Sequence, residues 1–194
     1  AAVALEDAEL LEIALHDPKC GYDRMMEIGV TAEGWWNERS PGYHFYPLEG
    51  MVLTAEAVRC RGIDLYDDRL ERMLAGMIDC VYADLTFPAH NDGWRGISLP
   101  RAASLYELAA LRFDNPRFLE LLGKFYADGR TRPWTALIHG RGIEPDSLPL
   151  HLASCVYPDT GIAYLRSGPR TVVIKFGPHG GGHGHPDKLS ISIH

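Results

Sequence analysis

The feature of this sequence that most constrains its fold is a change of hydrophobic pattern near residue 150. Before this point, apolar residues recur at helical spacing in segments that end at glycine or proline. After it, short runs of alternating or β-branched residues are bounded by glycine and proline, which is typical of antiparallel strands. The pattern therefore predicts a helical region followed by a β region.

Six helical segments are predicted in the first region. The third of them is one of the longer segments, with Pro47 near its first turn and Gly62 beyond its end. Connections between the segments are short, which favours stacked helical hairpins. The six segments are 7–16, 21–29, 46–62, 67–85, 105–113 and 115–129.

Three strand segments are predicted in the second region, at 154–168, 170–177 and 188–194. Between the two regions, residues 130–150 contain three prolines and little periodicity, so they are predicted to form a linker. We therefore expect a helical domain over 1–129 and a β domain over 151–194. Both ends of the sequence fall within predicted elements, so we expect the chain to be a piece of a longer protein.

The composition is that of a globular protein. Hydrophobic residues make up 46% of the chain and charged residues 23%, which is enough to build a core. The formal net charge of -7 argues against a general nucleic-acid binder, which carries a basic surface. No run of about 18 apolar residues is present, so no membrane span is expected. The four cysteines lack a Cys-x-x-Cys spacing and are expected to be reduced and buried.

A loop rich in glycine and histidine comes directly before the last predicted strand. Its glycines allow the chain to turn tightly and to approach a ligand. His183, His185 and Asp187 follow at a spacing of two, so in an extended chain they point to one face of a sheet. Such a face could bind zinc or iron, and a metal-dependent hydrolase is one interpretation. A phosphate-binding loop is disfavoured because no Gly-Lys-Ser/Thr follows the glycines.

Two further loops combine aromatic and polar residues, as sugar-binding sites do, because aromatic faces stack on sugar rings. Core packing explains the aromatic residues of the first loop, 34–50, equally well. The second loop, 87–100, repeats the composition, but its Asn91-Asp92-Gly93 turn chemistry favours a solvated turn. The candidate contact residues of the first loop are Trp36, Tyr43, His44 and Tyr46.

Together, four stretches resemble the heparinase II/III-like polysaccharide lyases, in which an α/α toroid is followed by a β-sandwich. The Gly-His-Gly-His-Pro-Asp-Lys-Leu stretch at 182–189 is the most specific, and its form is most similar to the oligoalginate lyases. The resemblance implies a partial toroid of helical hairpins followed by the first strands of an antiparallel β-sandwich. The four stretches are 35–66, 90–100, 157–168 and 176–191.

The resemblance also implies an activity, the β-elimination of a uronic-acid polysaccharide or oligosaccharide of alginate or glycosaminoglycan type. Tyr43 takes the position of the catalytic tyrosine, and His183 that of the active-site histidine of the β domain. A carbohydrate-binding fragment without catalysis is the other interpretation. The residues expected to contact the substrate are Tyr46, His44, Trp36 and His179.

The same resemblance implies a structural zinc ion, with His185 in the position of a ligand. The other ligands, an aspartate and a histidine, are expected after His194, and a carboxylate-neutralising asparagine or histidine before Ala1. We therefore expect this chain alone to be inactive. A periplasmic or secreted location, with a signal peptide outside this chain, and a homodimer are further expectations.

Overall fold

The computed structural model describes residues 1–127, 129–139, 149–179, 182–186 and 188–194. Within these residues the chain forms helices first and one antiparallel sheet afterwards, as predicted. A 3₁₀ turn at Leu99–Ala102 precedes the sixth helix. The helices are α1 (Ala2–Leu5), α2 (Ala8–His16), α3 (Tyr22–Gly29), α4 (Pro41–Arg59), α5 (Asp68–Ile78), α6 (Ala103–Arg112), α7 (Pro116–Tyr126) and α8 (Trp134–His139). The strands are β1 (Cys155–Tyr157), β2 (Ile162–Ser167), β3 (Arg170–Lys175) and β4 (Ser190–Ile193).

The longest described helix, α4, begins at Pro41. The prediction had placed its start at Tyr46. Ser40 is extended and precedes Pro41, whose fixed φ suits the first turn of a helix. Pro47 lies inside the helix, where it lacks the N–H that would otherwise bond to the Tyr43 carbonyl. Tyr43 and Tyr46 therefore lie on the helix itself and have a more rigid support than a loop gives.

The four strands pair in sequential order as one antiparallel sheet. The predicted segment 154–168 forms two strands, because a turn over 158–161 folds it into a hairpin; the prediction of three strands was therefore wrong. Gly161 has a φ of 74° and lies against Gly177, so a Cβ on Gly161 would overlap the Gly177 backbone. This contact requires glycine at the turn.

The inner face of the sheet packs against the helices. Ile162, Tyr164 and Val173 are buried in the same apolar cluster as residues from α4 to α7. The outer face exposes Leu165 and two isoleucines of β4, so both faces of the sheet carry apolar residues. An apolar outer face can pack against a further layer, such as the second sheet of a sandwich, although the sandwich and the toroid both stay predictions.

Polar contacts also connect the two regions. The Arg166 guanidinium on β2 donates to the Asp79 and Val81 carbonyls at 2.7 and 2.8 Å. The Glu33 carboxylate accepts hydrogen bonds from the backbone N–H groups of Asp159 and Thr160 at 3.0 and 2.9 Å. The strands and the helices are therefore joined both by a shared apolar core and by these hydrogen bonds.

Three other expectations concerned the linker, the cysteines and a membrane span. The predicted linker contains α8, and its residues 140–148 lie outside the described residues; the domain boundaries stay predictions. Cys20 and Cys60 are exposed, so the prediction of buried thiols is wrong for these two and holds for Cys80. Across the part of the chain that the structure describes, we find no helix with the length and apolar character needed to cross a bilayer.

Candidate active site

A cleft of about 1040 Å³ runs along the N-terminal half of α4. Its size and its aromatic walls match those of sites that bind small organic ligands, including short saccharides. Five aromatic residues line it: Tyr22, Trp36, Tyr43, Tyr46 and Trp94. Other described residues of the lining are Ala14, Cys20, Met25, Glu38, Gly42, Pro47, Glu49, Gly50, Met51, Leu53, Thr54 and His183.

Tyr43 and His183 meet in this cleft. Their ring centroids are 3.5 Å apart and their planes differ by 10°, so the two rings are stacked. Tyr43 is presented by α4, and His183 by the glycine-rich loop that precedes β4. The structure therefore brings together the two residues that the sequence singled out as catalytic candidates.

A single carboxylate, that of Asp92, bonds both histidines of the glycine-rich loop. His183 Nδ1 lies 2.8 Å from Oδ2 of Asp92, and His185 Nε2 lies 2.5 Å from its Oδ1. An ionised carboxylate can only accept hydrogen bonds, so Nδ1 of His183 and Nε2 of His185 each carry a proton. Hydrogen bonds from His183 and His185 lower the pKa of the Asp92 carboxyl, which favours this ionised form.

The loop that carries Asp92 is held by a buried lysine. Lys175 on β3 is only 1% exposed, and its Nζ donates to Oδ1 of Asn91 and, at 3.0 Å, to the His185 carbonyl. Asn91 has a φ of 54°, a left-handed conformation that asparagine tolerates. Its amide nitrogen donates to the Arg39 carbonyl at 2.8 Å. Asn91 thus connects the loop to β3 and to the residues preceding α4.

His44 lies behind the cleft wall and has no exposed surface. Its Nδ1 accepts from the Trp36 N–H at 3.1 Å, and its Nε2 lies 3.0 Å from the Met73 carbonyl, to which it donates. Burial lowers its pKa to about 4, so the ring is neutral near pH 7. The assignment of His44 to substrate contact is therefore wrong. Successive helical residues point about 100° apart, so Tyr43 can face the cleft while His44 faces the core.

Trp36 and Tyr46 both line the cleft. Tyr46 is 84% exposed, which leaves its ring and hydroxyl open to a ligand. Trp36 is half-buried, and its ring lies directly on Gly29, where any Cβ would overlap it. Their contact with a substrate stays a prediction, as does that of His179, an exposed residue outside the described lining of the cleft.

Of the predicted structural zinc ligands, only His185 lies in this chain. Asp187, the third member of the alternative cluster with His183 and His185, lies outside the described residues, and these contain no group of three or more His, Cys, Asp or Glu arranged to hold a metal ion. His185 with Asp92 falls short of the four donors that a structural zinc takes. These residues do not form a zinc site by themselves, and the zinc ion stays a prediction.

Sequence reasoning missed the contribution of the loop 87–100. The loop was predicted to be a solvated turn, yet Asn91 is 5% exposed and Asp92 bonds two histidines. Its repeated aromatic and polar composition was the available signal. Nothing in the sequence indicated Lys175, because its role depends on which strand lies beneath the loop.

The fold has counterparts among solved structures. The heparan sulfate lyase HepC from Pedobacter heparinus matches with a TM-score of 0.64 at 18% identity, over 88% of this chain and 25% of the HepC chain. A heparinase III structure matches with a TM-score of 0.60 at 13% identity, over 87% of this chain and 27% of that one. This chain therefore spans about a quarter of the length of these proteins.

No protein-family model matches the sequence, and no curated protein matches it significantly. At these identities the similarity concerns the fold. It agrees with the fold expected from the family resemblance, whereas the closer link to oligoalginate lyases stays a prediction.

Proposed function

We propose that this chain is part of a polysaccharide lyase that cleaves uronic-acid-containing chains by β-elimination. The observation that carries the proposal is the stacking of Tyr43 on His183 in an aromatic cleft. The fold shared with a heparan sulfate lyase supports it. In this proposal the helices belong to an α/α toroid and the sheet to a β-sandwich.

The reaction needs a base and an acid on one sugar ring. The base removes the C5 proton, which lies next to the uronate carboxylate, and an enolate-like intermediate forms. The electron pair of the C5–H bond then makes the C4–C5 double bond while the bond from C4 to the glycosidic oxygen breaks. The acid delivers a proton to the departing oxygen. Donors near the carboxylate stabilise the intermediate electrostatically.

Tyr43 and His183 suit these roles. A tyrosine hydroxyl can donate a proton and, once ionised, can accept one, so Tyr43 is assigned as the acid and base. His183 uses its Nδ1–H for Asp92, so the Nε2 of the neutral ring keeps its lone pair and can accept a proton or a hydrogen bond. Because the rings are parallel and in contact, both can reach the same sugar.

The charges of the cleft bear on the substrate. Glu38 and Glu49 line the cleft, and the described lining residues include no lysine or arginine. Two carboxylates repel a densely charged polyanion more strongly than a polymer with one carboxylate per sugar. This wall of the cleft therefore favours an unsulfated uronate chain of the alginate type over a heavily sulfated glycosaminoglycan.

The test is a screen of uronic-acid polymers with the full-length protein. Elimination leaves an unsaturated sugar that absorbs in the ultraviolet, whereas hydrolysis or binding alone leaves none. We expect absorbance to rise with at least one unsulfated uronate polymer. A protein that binds such polymers and produces no unsaturated sugar would be a carbohydrate-binding module, and the lyase proposal would fail.

A further inference from the structure

We propose that Asp92 is a positioning residue that orients His183 toward the substrate in the candidate active site. The proposal rests on the proposed function, because it assigns a partner to one of the residues in that mechanism. The proposal is based on the position of the Asp92 carboxylate, which comes from the helical region and lies against His183 and His185 of the β region.

Each carboxylate oxygen of Asp92 has its own partner. Oδ2 accepts from His183 and Oδ1 from His185, while the Asp92 backbone N–H donates to the His183 carbonyl at 3.2 Å. Residue 183 is therefore held at both its ring and its backbone. A ring held at one nitrogen and stacked on Tyr43 has little freedom to rotate.

A role in the turn alone does not account for this arrangement. In a turn motif, the aspartate side chain bonds to the backbone of its own turn. Here the turn is closed by backbone atoms, with the Gly93 N–H donating to the His90 carbonyl at 2.9 Å. The Asp92 carboxylate instead reaches across to the other region of the protein.

The carboxylate itself is fixed by the residue before it. Asn91 is tied to Lys175 on β3 and to the Arg39 carbonyl just before α4. The helix carrying Tyr43, the loop carrying Asp92 and the strand leading to His183 are thereby linked through one buried side chain. Orientation to within a fraction of an ångström is what acid–base catalysis requires of such a support.

The orientation has a chemical consequence. With a proton on Nδ1 facing Asp92, the lone pair of the neutral His183 ring lies on Nε2. Asp92→Asn keeps the shape of the side chain, but its amide can donate to Nδ1 and so favour the opposite tautomer. The lone pair would then face the amide, away from any substrate.

The test uses the full-length protein with Asp92→Asn, Asp92→Ala and the matched control Asp114→Asn. Asp114 is an exposed aspartate between α6 and α7. We expect kcat of elimination to fall at least about tenfold in both Asp92 variants, with KM and the melting temperature near those of the parent, because orientation is lost and binding is kept. The control should match the parent. A parental kcat in Asp92→Asn would overturn the proposal.

A second readout does not depend on activity, so it separates this proposal from the proposed function. A nitrogen-edited NMR spectrum of the histidine side chains, assigned with His183→Gln, reports which nitrogen of His183 carries the proton. We expect the Nδ1–H form in the parent and in Asp114→Asn, and its loss in Asp92→Asn. The same His183 signals in parent and Asp92→Asn would overturn the positioning role even if the protein were a lyase. An altered signal would support the role even if no polymer were cleaved.

Discussion

The phenol ring of Tyr43 lies parallel to the imidazole of His183, with 3.5 Å between their centroids. One ring belongs to a helix and the other to a loop of the β region, so the pair exists only when the two regions are docked. Any chemistry that needs both residues therefore depends on that docking.

Replacing Tyr43 by phenylalanine removes the hydroxyl and keeps the stacked ring. We expect kcat for elimination to fall by about 10²–10⁴-fold, the usual contribution of a general acid or base. The free energy of unfolding should change by less than about 0.5 kcal/mol, because the lost group lies at a cleft surface. Steady-state kinetics and urea unfolding of the full-length protein measure both quantities.

Tyr46→Phe is the matched control, since Tyr46 lines the same cleft and is largely exposed. Loss of the Tyr46 hydroxyl should raise KM more than it lowers kcat, because a hydroxyl that only binds the substrate stabilises the ground state and the transition state equally. If Tyr43→Phe kept nearly normal turnover, Tyr43 would have no part in the mechanism.

Glu33 joins the β1–β2 hairpin to the helical region through hydrogen bonds. Its carboxylate accepts from the Asp159 N–H, the Thr160 N–H and the Thr160 hydroxyl, at 3.0, 2.9 and 2.9 Å. Glu33→Ala should lower the free energy of unfolding by about 2–3 kcal/mol, since hydrogen bonds to a charged group are among the stronger ones.

Glu27→Ala serves as the comparison for Glu33, because Glu27 forms an exposed pair with Arg24 on the surface of α3. Such a pair contributes about 0–1 kcal/mol. Equal destabilisation by the two variants in urea unfolding would show that the hairpin does not depend on Glu33.

His44 predicts a pH dependence of stability. Its folded pKa is lowered to about 4 by burial, whereas an unfolded histidine titrates near 6.5. The unfolded chain therefore takes up the proton first, and stability is fully present above about pH 6.5 and declines as the pH falls toward 4. Over that window the loss from this one group is about 3 kcal/mol.

Urea unfolding at a series of pH values tests this, with His44→Gln as the partner variant. Glutamine does not titrate between about pH 4 and 6.5. The free energy of unfolding of His44→Gln should therefore depend less steeply on pH than that of the parent, by a slope that corresponds to about one proton. Parallel curves for the two proteins would mean that His44 is not held neutral in the fold.

The zinc prediction concerns His185. The full-length protein should contain zinc, and His185→Ala should lower that content, as measured by elemental analysis after dialysis. His179→Ala is the control, because His179 is an exposed histidine of the preceding loop. Zinc content unaffected by His185→Ala would contradict the zinc prediction, and the His185 ring would keep its hydrogen bond to the Asp92 carboxylate.

The order of the elements could be predicted from sequence because periodicity is a local property. The start of α4 was misplaced because Pro41 and Pro47 each suit the first turn of a helix, and the helix begins at the earlier of the two. The hairpin within 154–168 was missed because its turn, over 158–161, interrupts a run that otherwise alternates like one strand.

Residues of the candidate site could be predicted where they belong to a sequence motif. Residues that depend on contacts between distant parts of the chain could not. Tyr43 and His183 lie in motifs, whereas the bond from Lys175 to Asn91 joins a strand to a distant loop. His44 was assigned wrongly because adjacency in sequence does not mean a shared face on a helix. Asp92 was hidden because an aspartate in a turn has a local explanation.

The most direct test of the central claim compares two products of the same digestion, new reducing ends and unsaturated sugars, for the full-length protein on an unsulfated uronate polymer. Each elimination event creates both, so the two counts should rise together, and both should fall sharply in Tyr43→Phe. Reducing ends that accumulate without unsaturated sugars would show hydrolysis and would contradict the assignment of Tyr43 and His183 to β-elimination.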